Sequence, residues 1–132
     1  MLYGSECWAL KGQQEHKVGV AEMRMLRWMC GHTRKDKIRN EQIRGRVGVA
    51  SIEEKMVENR LRWFGHVQRR PRDAPVRRVD QIVWSPVKRN RGRPKRTLNE
   101  VIEQDLLVNN LSKDLVFDRV QWRRMIHVAD HI

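Results

Sequence analysis

SIEEKMVENRLRWFGHVQRRP, residues 51–71, decides how the chain folds. Ser51 and Glu54 stand three apart, the spacing of a capping box. The hydroxyl serves one free N–H of the first turn and the carboxylate serves another. After them Ile52, Met56, Trp63, Phe64 and Val67 recur at helical spacing, which predicts a helix over residues 52–69 with that arc turned to a core. Lys55, Arg62 and Arg69 lie seven apart and form a row on the other side. Pro71 ends the helix, because it has no N–H to donate and its ring disfavours a helical residue before it.

The same reading extends in both directions. Residues 15–30 predict a helix stopped by Gly31, with Val18, Ala21, Met25, Leu26, Trp28 and Met29 as its apolar arc. Asp36 is placed to cap a second helix over 37–46 that carries Ile38 and Ile43, with Gly45 and Gly48 at its end. Residues 2–10 are short and aromatic-bearing, and allow one short strand. Downstream, Thr97 and Glu100 repeat the capping-box spacing ahead of a helix over 98–108. Asn109 and Asn110 suit a turn. Ser112 or Asp114 then opens a last helix that ends near Ala129 and forms an antiparallel hairpin with its predecessor. The expectation is an all-α chain of about five helices. Two small helical subdomains, 1–69 and 97–132, are joined by a basic linker, 70–96, that contains all four prolines.

Charge is the second organising feature. The 132 residues hold 28 Lys and Arg against 16 Asp and Glu, a net charge of +12. Residues 69–96 hold 11 of those cations and 2 of the acids, net +9 in 28 residues. Such an excess points to a polyanionic partner, nucleic acid first, with an acidic membrane surface as the alternative. Self-repulsion and four prolines also predict that this segment has no fixed structure by itself, apart from a turn of helix or a short strand near 76–84. No apolar run approaches the roughly 20 residues of a membrane span. MLYGSECWAL (1–10) lacks the features of a signal peptide and reads as the interior of a longer frame. Cys7 and Cys30 are too far apart for a zinc pair and fit a reducing compartment. The expected location is intracellular, nuclear or cytoplasmic.

The sharpest local motif is Arg91-Gly92-Arg93-Pro94, flanked by Lys88, Arg89, Lys95 and Arg96. It resembles the core of an AT-hook. Glycine lets an extended backbone sit deep in a narrow minor groove, where two arginines meet the strongest negative potential. The bland reading is a solvated basic linker, and RNA phosphates would satisfy the same charges. These eight residues, with the row Lys55, Arg62 and Arg69, are the expected nucleic-acid contacts. Of the five tryptophans, Trp28, Trp63 and Trp122 fall on helical arcs and read as core, leaving Trp84 as a stacking candidate. His127 and His131 are spaced as a helical ligand pair but have no third ligand, so no metal and no cofactor is expected. No small-molecule site is indicated, and the oligomeric state is not legible.

Four charges, Glu22, Arg60, Asp105 and Arg119, fall inside apolar arcs. A charge there is costly unless paired. Glu22 is therefore expected to meet Arg60, and Asp105 to meet Arg119.

Several segments together resemble one family. LYGSECWAL (2–10) is similar to the segment that follows the palm of LINE-type (non-LTR) retrotransposon reverse transcriptases. EMRMLRWMCGHTRKDKIRNEQIR (22–44) and ENRLRWFGHVQRRP (58–71) resemble the thumb-like helices after it, and RGRPKRT (91–97) and DRVQWRR (118–124) the distal tail. The resemblance implies a part of an RNA-directed DNA polymerase whose thumb follows a template–primer duplex. The catalytic palm and the Cys/His zinc-binding tail of some relatives are not in this sequence. Polymerases need neighbouring carboxylates to hold two metal ions, and Asp114 and Asp118 do not resemble that hairpin. A non-enzymatic nucleic-acid-binding protein is the expected function. The rivals are a retroelement remnant with no selected role and a helical protein-interaction module, the latter marked by exposure of Leu2, Tyr3 and Trp8.

Overall fold

The computed structural model describes residues 3–82, 91–92 and 96–130. Among these the chain is all-helical, with six α-helices and no strand. They are α1 (Gly12–Met29), α2 (Asn40–Val47), α3 (Ile52–Gln68), α4 (Pro75–Gln81), α5 (Leu98–Val108) and α6 (Arg119–Ile126). Short 3-10 stretches cover Ser5–Cys7, Arg34–Asp36 and Lys113–Phe117. The strand allowed over 2–10 is replaced by the first of these. Gly4 takes a left-handed φ of 74°, which turns the chain where a strand would run on.

The chain divides into two compact units. One is Met1–Asn59 with His127–Ile132, and the other is Arg60–Ile126. These boundaries replace the expected division at 69 and 97, because α3 is shared between units and the last residues return to the first.

In the first unit α1 begins at Gly12, where the Gln14 side chain accepts from the Lys11 N–H at 2.9 Å. It stops at Gly31, whose φ of 70° is left-handed. Its buried face is Glu22, Met23 and Leu26, which keeps Leu26 of the expected arc, with Val18 partly buried, and turns the rest of that arc outward. Met25, Trp28 and Met29 are exposed, Trp28 at 81%. Met23 and Leu26 pack on the fully buried Ile43 of α2, with Ile38 and Val47 beside them. Leu10, Ile52 and Met56 form a second small cluster with Val18.

Asp36 caps backward instead of forward. Its carboxylate accepts from the Thr33 N–H at 2.6 Å, closing the Arg34–Asp36 turn. That bond holds the Asp36 carboxyl below its ordinary pKa, and the Thr33 hydroxyl adds to it. Lys37 is then left-handed, φ 50°, so α2 starts at Asn40. The Ser51–Glu54 box forms as read: Glu54 N–H donates to Ser51 Oγ, and Ser51 N–H to Glu54 Oε2, both at 3.2 Å.

The last residues are held by α3. The Val128 N–H donates to Glu58 Oε2 at 3.1 Å, Lys55 Nζ donates to the Val128 carbonyl at 2.5 Å, and the Ala50 N–H reaches Asp130 at 3.2 Å. Glu58 is buried.

In the second unit Leu61, Val67, Val101, Ile102, Leu106, Leu111, Val116, Trp122 and Ile126 are buried. The Thr97–Glu100 box starts α5 as read, with bonds of 3.1 and 3.3 Å. Asn110 at φ 52° makes the following turn. The single helix expected up to Ala129 is broken in two. Asp118 accepts from the Val120 and Gln121 N–H groups, both at 3.1 Å, and so caps α6. Pro75 at the first turn of α4 gives residues 75–81 a helix, the first of the two forms allowed near 76–84. That helix is tied down by Arg78 Nε on the Asp73 carbonyl (2.9 Å) and Gln81 on the Arg72 carbonyl (3.0 Å).

Candidate nucleic-acid interface

Both expected ion pairs form with other partners. Glu22 is buried, and its carboxylate accepts from Arg44 Nη2 at 2.7 Å and from the Ile52 N–H at 2.9 Å. Reading α1 against α3 alone leaves out the cation on α2. Arg60, 3% exposed, donates from Nε to Asp105 at 2.5 Å. Arg119 is exposed instead. Because α6 begins at Arg119, Leu115 is not on the same helix, and the arc that placed Arg119 inward does not exist.

The row on α3 is partly consumed by the fold. Lys55 serves the Val128 carbonyl and lies 3.6 Å from both Glu58 and Asp130. Arg69 donates from Nη1 to the Val116 carbonyl at 2.8 Å. Neither is a freely swinging surface cation. Arg62 is exposed. Together with Arg69, Arg70 and Arg119 it surrounds His66 with positive charge. The imidazole pKa is lowered, first by partial desolvation and then by Arg69, Arg119, Arg62 and Arg70. Arg69 is itself lowered by burial and by Arg119. A convergence of like charge on the second unit was not legible in the sequence, because Arg119 enters it from another helix.

Of the motif residues, Lys88, Arg89, Arg93, Pro94 and Lys95 lie outside the described residues, as do Trp84 and His131. Arg91 and Arg96 are exposed. Gly92 has φ 135°, a conformation that L side chains rarely adopt. His127 lies 3.7 Å from Glu58. Among the described residues no group of three His, Cys, Asp or Glu side chains is placed to hold a metal ion. No described helix is long and apolar enough to cross a membrane. Cys7 and Cys30 are free thiols.

A concave surface lies in the first unit, where the sequence reading placed no site. It is a cleft of about 640 Å³ between α1, the Arg34–Asp36 turn and α2. Arg24, Arg27, Arg34, Lys37, Arg39 and Arg44 line it, against the acids Glu41 and Glu53. All of these but Glu53 stand within 22–44, but the left-handed turn at Lys37 is what folds that stretch around one hollow.

No protein-family model, curated protein or solved structure matches the chain.

Proposed function

We propose that this chain is a non-catalytic nucleic-acid-binding protein, derived from the region that follows the palm of a LINE-type reverse transcriptase. The observation that carries the proposal is the charge: net +12 overall, +9 of it within residues 69–96. Phosphates neutralise such charge and release counterions, and this dominates non-specific affinity. The ordered resemblance of residues 2–10, 22–44, 58–71, 91–97 and 118–124 supports the same reading. Activity on a primer is not expected, because the sequence has no neighbouring carboxylates of the polymerase kind.

The test is binding of labelled RNA and DNA by the chain and by a variant with Arg91, Arg93, Lys95 and Arg96 changed to alanine. The variant should lose much of the affinity and keep its helicity. Unchanged affinity would remove the motif from the interface. Loss of a preference for A·T-rich duplex in Gly92→Val, with bulk affinity kept, would favour minor-groove reading over charge alone.

A second reading, a helical protein-interaction module, is favoured by Tyr3, fully exposed, and Trp8, 49% exposed. Leu2 lies outside the described residues. A chain that binds neither RNA nor DNA at low salt would leave that reading in place.

A further inference from the structure

The cleft in the first unit holds two kinds of cation. Arg44 is held by Glu22, and Arg27 donates to the Ile38 carbonyl and to Asn40 Oδ1, both at 2.7 Å. Arg24, Arg34, Lys37 and Arg39 are exposed, and their side chains have no hydrogen-bond or ion-pair partner among the described residues. Glu41 and Glu53 also line the hollow, so its cations outnumber its acids by six to two, and an anion that enters meets a net positive field. The arginine fork matches the geometry of a phosphate in particular.

Size restricts the anion. A hollow of about 640 Å³ lies in the range of small-ligand pockets. It has room for a nucleotide or two of an extended strand, whereas a stiff duplex would present only the phosphates of one edge to it.

Beside it stands an aromatic group with no core role. Trp28 follows Arg24 by four residues on α1, so their Cβ atoms are about 5–6 Å apart on one helix face. Trp28 is 81% exposed. An open indole on the same helix face as an exposed arginine of the cleft sets a stacking surface next to a phosphate contact. Such platforms bind every base, since each has a π-face.

We propose that the cleft between α1 and α2 binds the backbone of single-stranded nucleic acid through Arg24, Arg34, Lys37 and Arg39, while Trp28 stacks on an adjacent base. The inference rests on the nucleic-acid reading above and adds a site and a strand type to it.

The experiment is fluorescence anisotropy of the full chain with short labelled oligothymidylate and oligouridylate, between about 50 and 200 mM salt. The triple variant Arg24→Gln, Arg34→Gln and Arg39→Gln should lower the salt slope by about 2, three phosphates at roughly 0.7 each for a single strand. Lys37 is left in place because of its left-handed φ. Trp28→Ala should weaken binding about 5- to 150-fold, and Trp28→Phe much less, because a π-face remains. The charge-keeping triple change to lysine should restore binding, which separates loss of phosphate binding from loss of folding. If wild type binds and the triple variant or Trp28→Ala binds equally well, the cleft is not the site, though the chain still binds nucleic acid. If a short duplex binds the cleft as tightly as the single strand, the strand assignment is overturned. If wild type binds no nucleic acid, this inference falls together with the functional reading.

Discussion

Arg44 on α2 reaches the Glu22 carboxylate on α1 at 2.7 Å, and the other oxygen of that carboxylate receives the Ile52 N–H at 2.9 Å. One buried group thus ties α1, α2 and the start of α3. Its negative charge also sits at the positive end of α3, where the first N–H groups lack intrahelical partners. Glu22→Gln should keep the shape and lose the charge. We expect a loss of about 1–3 kcal/mol, below the 3–5 of a fully buried pair because Arg44 is partly solvated. Urea unfolding measures it, and a change under about 0.5 kcal/mol would contradict it.

Arg60 and Asp105 form the tighter pair, at 2.5 Å, in the second unit. Asp105→Asn should cost about 3–5 kcal/mol, since Arg60 would stay buried without its counter-charge. A double-mutant cycle with Arg60→Met should recover part of that loss, with a coupling of about 1 kcal/mol or more. Additive single effects would mean that the two side chains do not interact.

Much of the helical content was legible because caps are local. The boxes at Ser51–Glu54 and Thr97–Glu100, the stop at Gly31 and the break at Pro71 each depend on a few neighbouring residues. The pairing of buried charges was legible only as a need. That Glu22 and Arg60 must be paired follows from their neighbours on a helix wheel, but the partner comes from whichever helix packs there. The buried arc on α1 differs from the expected one for a related reason. Trp28 and Met29 are apolar at the right spacing, yet the helix is buried on the side where Ile43 meets Met23 and Leu26. The cleft was invisible because it depends on Asp36 capping Thr33 and so delaying α2 by three residues.

Gly65 on α3 is required by the Trp122 ring. A Cβ there would lie 2.5 Å from Nε1 and 3.0 Å from Cδ1 of Trp122. That ring is buried and packs against Phe64 at 6.4 Å between centroids, so it cannot swing aside. Gly65→Ala should therefore destabilise by about 1–3 kcal/mol, although alanine favours helix by about 1. Thermal or urea unfolding would reveal it, and a stabilised variant would show that the ring moves freely.

His66 provides a pH signature. Its folded pKa lies below the ordinary value near 6.5, so the unfolded chain takes the proton first. Stability from this group is complete above about pH 6.5 and is lost as pH falls from there through the folded value. His66→Gln should flatten that part of the stability profile. A phosphate bound among Arg62, Arg69, Arg70 and Arg119 would favour the charged imidazole. Binding there should then take up a proton and tighten as pH falls below about 6.5. A His66 NMR titration that is the same with and without an oligonucleotide would count against binding at this cluster.

If the +12 charge of the chain is matched to phosphate, counterion release sets its affinity for nucleic acid. The equilibrium constants for RNA and for DNA, followed as salt is raised, decide the matter. We predict a linear fall of log K with log salt for wild type. Removal of Arg91, Arg93, Lys95 and Arg96 should flatten the slope by roughly 0.7–0.9 for each phosphate that is no longer neutralised. Absence of binding to either nucleic acid at low salt, or binding that does not respond to salt, would contradict the match.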